Sequence, residues 1–147
     1  MSLKIYNSLL RQKEEFKPFK PGVVKMYVCG PTVYNFLHVG NFRGQVFLNL
    51  VRNWLEKSGL KVEYALNFTD LDDRIIKKAL EEGKTSSEIS ERYIAEYKKD
   101  FASLGLKPHE HNPKVTEYLD SIEEMIQTLV THKKAYAVEG DVYFQVD

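Results

Sequence analysis

The sequence predicts an α/β fold of the doubly wound, nucleotide-binding kind, and three observations predict it. A mostly apolar run from Val23 to Cys29 is stopped by Gly30-Pro31, as a buried strand is. The stretch Gly40 to Ser58 then carries Phe47, Leu50, Val51, Trp54 and Leu55 at three-and-four spacing, which is one helix face. A second run with strand character, Lys61 to Thr69, is followed by a second helical pattern. This order makes a parallel strand pair joined by a right-handed crossover the expected arrangement.

Composition agrees with a globular domain. The 147 residues are 43% apolar and 29% charged, with nine Tyr, eight Phe and one Trp as bulky core material. Twenty-one basic residues balance twenty-one acidic ones, which excludes a strongly basic nucleic-acid module. The single cysteine, Cys29, cannot form an internal disulfide and fits a reducing compartment. The longest apolar runs, Val46 to Leu48 and Met125 to Val130, fall far short of the ~20 residues of a membrane span. Met1-Ser2-Leu3-Lys4-Ile5-Tyr6 has no signal-peptide pattern, so a cytoplasmic location is expected.

The elements follow in order. Leu3 to Leu10 is short and mixed, and the charged stretch Arg11 to Pro18 reads as a loop, with Pro21-Gly22 marking a turn. After the first strand and helix, Gly59 is a natural stop. Asp70 is expected to cap a helix carrying Leu71, Ile75, Ile76, Ala79 and Leu80, ended by Gly83, with Asp72 and Asp73 capping or favouring the first turn. Thr85-Ser86-Ser87-Glu88 fits a capping box for a helix with Ile89, Tyr93, Tyr97 and Phe101 on its core face, ending at Gly105. His109-Glu110-His111, flanked by prolines, reads as a solvated loop. Asn112-Pro113 opens a last helix whose stripe is Val115, Tyr118, Leu119, Ile122, Met125, Ile126, Leu129 and Val130. Two short strands, around Tyr136 to Val138 and Val142 to Val146, close the chain, with Gly140-Asp141 as the turn. The end at Asp147, in or just after a strand, leads us to expect the N-terminal piece of a longer protein.

The chemistry is expected where the first strand ends and the first helix begins, Cys29 to Asn41. In open α/β sheets ligands bind at the carboxyl ends of strands, and helix N-termini there offer free N–H groups and partial positive charge. No Walker loop and no Gly-x-Gly-x-x-Gly sequence is present. His38 is open to two readings, a capping or packing histidine and a donor to an ATP phosphate. Asn41 can donate by its amide, and Gly40 leaves room where a ligand presses on the backbone. Tyr27, Gly30 and Thr32 are candidate pocket lining. Cys29 on its own is most simply a small apolar residue at a strand end.

The run Met26 to Asn41, Met-Tyr-Val-Cys-Gly-Pro-Thr-Val-Tyr-Asn-x-x-His-Val-Gly-Asn, closely resembles the signature of the cysteinyl-tRNA synthetases, a family of class I aminoacyl-tRNA synthetases. Similar matches are Arg11-Gln12-Lys13-Glu14-Glu15-Phe16, Asn67 to Ile76, Tyr136-Ala137 and Gly140-Asp141-Val142-Tyr143-Phe144, so the resemblance runs from about Leu3 to the last residue. The family's His-Ile-Gly-His tetrad stands here as His38-Val39-Gly40-Asn41. Asn41 keeps a donor but cannot become cationic, which leaves His38 as the stronger candidate for phosphate charge.

The resemblance implies the N-terminal half of a class I synthetase Rossmann-like domain over about residues 1–112, with residues 113–147 leading into an inserted connective domain. It implies ATP with Mg2+, L-cysteine and tRNA(Cys) as substrates of a monomeric enzyme. It implies ATP binding by Gly30, Thr32, Tyr34, His38, Gly40 and Asn41, of which His38 and Asn41 act in catalysis. It implies cysteine binding by Cys29, Gly30 and Thr69, and Cys29 as one ligand of a zinc ion. The family's remaining zinc ligands and its Lys-Met-Ser-Lys-Ser motif are not in this sequence, so the chain alone is expected to be inactive. A cysteine ligase of mycothiol synthesis and a non-catalytic nucleotide-binding paralogue are the alternatives. The uninterrupted Gly30-Pro31-Thr32-Val33-Tyr34 run is more similar to the synthetases.

Overall fold

The computed structural model describes residues 3–146. The readings of Met1-Ser2 and of the end at Asp147 lie outside the described residues.

At the centre are two parallel strands, β3 (Val23–Val28) and β4 (Lys61–Leu66), following an N-terminal hairpin of β1 (Lys4–Asn7) and β2 (Gln12–Glu15). Val23 lies opposite Lys61 and Val28 opposite Leu66, so both strands end at the same level. Helix α1 (Val39–Lys57) connects them. Helices α2 (Asp73–Glu82) and α3 (Ser86–Ser103) follow β4 and pack on each other.

The core is one cluster. The sheet gives Val24, Val62, Tyr64, Leu66 and Phe68; α1 gives Phe42 and Leu55; α2 gives Ile75 and Ala79; α3 gives Ile89, Tyr93, Ile94, Tyr97 and Phe101. The α3 stripe read from the sequence is this face. Tyr97 sits between Phe42 at 5.7 Å and Phe101 at 5.5 Å, both stacked, with Phe68 edge-on at 5.1 Å. The Thr85–Glu88 capping box forms as expected, and Gly59, Gly83 and Gly105 follow their helices with positive φ.

Several expectations are corrected. Arg11 to Pro18 is not simply a loop: Gln12–Glu15 pairs with Lys4–Asn7, and Arg11 takes a left-handed φ of 54° in the turn. β4 ends at Leu66, short of Thr69. Asp70 does not cap α2. Asp72 does, accepting from Arg74 N–H at 2.9 Å, while the buried Asp70 carboxylate accepts from Thr116 N–H at 3.1 Å and Thr116 Oγ1 at 2.5 Å.

Residues 109–111 are only in part the solvated loop expected: Glu110 and His111 are exposed, but His109 is half-buried and the stretch is tied to the sheet. Their backbone runs parallel to β4, with Leu66 N–H donating to the His111 carbonyl at 3.0 Å and His111 N–H to the Tyr64 carbonyl at 3.2 Å. Arg52, buried on α1, holds this segment by donating to the Pro108 carbonyl at 2.7 Å and to the Glu110 carboxylate. The second oxygen of Glu110 accepts from Tyr64 N–H at 2.8 Å. His109 packs against Tyr64 at 4.6 Å and Phe101 at 4.8 Å, and its Nε2 is buried without a partner. Burial, aided by Arg52, pushes its imidazole down to about 4.

Asn112-Pro113 does not open a helix. The Asn112 amide donates to the Leu66 carbonyl at 2.8 Å, and Phe68 N–H donates to the Pro113 carbonyl, also at 2.8 Å. A 3-10 turn (Val115–Tyr118) and helix α4 (Leu119–Thr131) come next. The α4 stripe is not core, since no α4 residue is buried and Met125 is 67% exposed. The closing hairpin pairs β5 (Ala135–Val138) with β6 (Asp141–Phe144). Its turn residues are Glu139-Gly140, with φ of 52° and 96°, not Gly140-Asp141. Among the described residues no helix is long and apolar enough to cross a membrane.

Candidate functional site

Because β3 and β4 end level, the residues that follow them meet. Gly30 N–H donates to Asn67 Oδ1 at 2.8 Å, and the Tyr27 hydroxyl donates to the same oxygen at 2.9 Å. A Cβ on Gly30 would lie 1.6 Å from the Asn67 carbonyl oxygen, so this approach of the two backbones admits no side chain. Thr32 and Thr69 then form an isolated parallel bridge, with Thr69 N–H donating to the Pro31 carbonyl at 3.1 Å and Val33 N–H to the Thr69 carbonyl at 3.2 Å. Cys29, Gly30, Thr32 and Thr69 therefore share one strip of backbone at the strand ends. Cys29 is exposed there, its Sγ 3.7 Å from the Gly30 carbonyl.

His38, Gly40 and Asn41 form a second group at the start of α1. His38 is the N-cap: its Nδ1 accepts from Gly40 N–H at 3.0 Å, and Asn41 Oδ1 accepts from His38 N–H at 3.0 Å. The capping reading of His38 is therefore correct, and it does not compete with the donor reading. An Nδ1 that accepts a hydrogen bond places the ring proton on Nε2, which makes the outer nitrogen a donor. Asn41 likewise accepts with its oxygen and keeps its Nδ2 hydrogens for other partners. All three residues are exposed beside the free N–H groups of the helix end.

A third group ties α2 to the loop after β3. Arg74 bonds both Asp72 oxygens at 2.9 and 3.1 Å, donates to Thr32 Oγ1 at 3.1 Å, and lies 4.9 Å above the Tyr34 ring. The guanidinium holds the Asp72 carboxyl below its usual range, and Asp72 keeps Arg74 firmly cationic. Tyr34 lines a hollow of about 260 Å³ with Arg74, Lys77, Lys78 and Glu81. None of the His38 group lines that hollow.

Cys29 suits zinc as a thiolate donor, but a four-ligand site needs three more. Among the described residues no three His, Cys, Asp or Glu side chains gather to hold a metal. These residues therefore do not make a zinc site by themselves.

The family described as tRNA synthetases class I (C) catalytic domain matches residues 15–147. The chain belongs to that family. Among curated relatives of this class I family, a protein of Bdellovibrio bacteriovorus named Cysteine–tRNA ligase is 65% identical over 145 residues, covering 99% of this chain and 30% of the relative. A protein of the same name from Lactococcus lactis subsp. cremoris is 53% identical over 144 residues, covering 98% of this chain and 32% of the relative. The chain thus spans about a third of the length of these relatives. A crystal structure from Campylobacter jejuni, described as an arginyl tRNA synthetase, superposes with a TM-score of 0.63 at 15% identity. It covers 87% of this chain and 38% of that one, a likeness of fold alone.

Sequence reasoning passed over three side chains that organise the class I strand ends: Asn67, Tyr27 as a hydrogen-bond donor, and Arg74. Asn67 carried a signal, since strand alternation puts it on the same side as Thr69. Arg74 carried none, because its partners Thr32 and Tyr34 lie about forty residues away in sequence.

Proposed function

We propose that this chain is the nucleotide- and cysteine-binding part of a cysteine–tRNA ligase. Residues 1–112 would form the first half of a Rossmann-like catalytic domain, and residues 113–147 would lead into an inserted connective domain. The observation that carries this reading is the strand-end strip. It sets an exposed thiol at Cys29 and the hydroxyl-bearing Thr69 on backbones locked together through Gly30 and Asn67. The identity of relatives named Cysteine–tRNA ligase over almost the whole chain supports it.

The reaction so assigned has two steps. A carboxylate oxygen of L-cysteine attacks the α-phosphorus of Mg2+-bound ATP, the bond to the bridging oxygen breaks, and pyrophosphate leaves. A ribose hydroxyl at the end of tRNA(Cys) then attacks the carbonyl carbon of the adenylate, and AMP leaves. The chain's task is to position groups and stabilise charge. His38 donates its Nε2 proton to a phosphate oxygen while Nδ1 stays on the Gly40 N–H. Asn41 Nδ2 is a second donor, and the N-terminus of α1 adds its partial positive charge. Gly40 gives the ligand access to the backbone, and Gly30, Thr32 and Tyr34 border the nucleotide. Thr69 meets the amino acid. Cys29 would supply one thiolate toward a zinc ion, which would favour the thiol of cysteine over the hydroxyl of serine. The same reading makes the enzyme a cytoplasmic monomer.

The test is amino-acid-dependent ATP–pyrophosphate exchange with the full-length protein. Exchange is expected with cysteine and not with serine. His38→Ala should lower the rate by about 10²–10³, and Cys29→Ser should remove both zinc and the preference for cysteine. Exchange that runs equally well with serine, or no exchange at all, would overturn the reading.

A further inference from the structure

We propose that Asn67 is a positioning residue, one that sets the placement of the Cys29 backbone against the Thr69 hydroxyl and so the fit of the amino-acid substrate. This inference rests on the proposed function and adds to it a residue outside the set implied by the resemblance.

Three polar groups, two from the end of β3 and one from Thr69, two residues on, converge on the Asn67 carboxamide. Its oxygen accepts from the Tyr27 hydroxyl and from Gly30 N–H, and its nitrogen faces Thr69 Oγ1 at 3.4 Å. A backbone N–H can only donate, so Gly30 settles which end of the amide is oxygen. No other uncharged side chain of this length offers an oxygen with two acceptor sites beside a donor. With Asn67 Nδ2 directed at it, Thr69 Oγ1 acts as an acceptor on that side and presents its own proton outward, to an acceptor on the substrate. The bond to Gly30 N–H fixes the peptide that immediately follows Cys29. Asn67 also works where nothing else can adjust, because the Gly30 backbone already touches the Asn67 carbonyl.

The experiment compares Asn67→Ala and Asn67→Asp in the full-length protein by cysteine-dependent ATP–pyrophosphate exchange, with KM measured separately for cysteine and ATP. Amide hydrogen exchange at Gly30 is read in the same proteins. Asn67→Ala should raise KM for cysteine about tenfold and KM for ATP by a clearly smaller factor, since of the three groups on Asn67 only Gly30 also borders the nucleotide. Exchange of the Gly30 amide should quicken about tenfold while the Val28 and Leu66 amides are unaffected. Asn67→Asp keeps both acceptor bonds and should restore slow exchange at Gly30, but its carboxylate cannot donate to Thr69 Oγ1 and draws the Thr69 proton inward, so KM for cysteine should stay raised. A purely structural role would lower kcat by reducing the folded fraction and leave both KM values in place. That result, a parallel rise in both KM values, an Asp variant whose Gly30 amide exchanges as fast as in the Ala variant, or an Asp variant with the parent KM for cysteine would overturn the inference. Wild-type protein without cysteine-dependent exchange would overturn the proposed function together with it, a failure visible before any variant is compared.

Discussion

Replacing His109 with Phe should make the chain less sensitive to mild acid. The imidazole sits between Tyr64 and Phe101, and burial, with Arg52 nearby, pushes its pKa down to about 4 from an ordinary 6.5. The unfolded chain therefore takes up a proton that the folded chain refuses. Stability is complete above pH 6.5 and falls as pH drops from 6.5 toward about 4, at about 1.4 kcal/mol per pH unit. Between pH 7.5 and 5 the loss is about 2 kcal/mol. The carboxylates of Glu56, Asp72, Glu82 and Glu88 are held below their ordinary values, so what they contribute is lost only at lower pH, from about 4.5 downward. The buried Nε2 has no partner to lose, while the larger phenyl ring and the loss of the 3.4 Å contact of Nδ1 with Asn112 shift stability by the same amount at every pH, so the pH dependence carries the test. Urea unfolding of both proteins, followed by circular dichroism at several pH values from 7.5 to 5, reads the difference directly. The other histidines are common to both chains and cancel. Two curves that stay parallel across this range would refute the argument that His109 is held neutral by burial.

Gly30→Ala would drive a methyl group into the Asn67 carbonyl oxygen, and a destabilisation of about 4 kcal/mol or more is expected by denaturant titration; a loss under about 1 kcal/mol would contradict the close approach. At Gly40 the added Cβ would lie 2.6 Å from His38 Cε1, so the ring must leave its cap. The gain in helix propensity and the loss of the cap are each about 1 kcal/mol. Gly40→Ala should therefore leave the melting temperature nearly unchanged while ATP–pyrophosphate exchange falls. Arg52→Met removes the buried donor that holds the Pro108 carbonyl and the exposed Glu110 carboxylate, and should cost about 1–3 kcal/mol by urea unfolding. A variant as stable as the parent would show that Arg52 does not hold the 107–111 segment.

Elements specified by local chemistry were legible. The helical period of α1, the Thr85–Glu88 box and the glycines after α1, α2 and α3 depend on neighbours a few residues away. What escaped was set at long range. Asp70 and Asp72 are equally good caps by composition, and only the arrival of Thr116, forty-six residues on, decides between them. Glu110 looks solvated until Arg52 is placed beside it. The β1–β2 hairpin exposes most of both strands, so it shows no alternation of apolar and polar residues. The α4 stripe announces a face suited to burial, and its period carries no word of what would bury it. In the candidate site, motif order brought Cys29, Gly30, Thr32 and Thr69 to one strip, whereas the Asn67 and Arg74 tethers needed coordinates.

The histidine at the head of α1 has an entropic consequence. A free imidazole samples several χ1 and χ2 wells, and a ligand that relies on it must freeze that motion on arrival. Here the Gly40 N–H captures the ring as the helix forms, so the rotamer is chosen during folding and any ligand that relies on the ring meets a group already at rest.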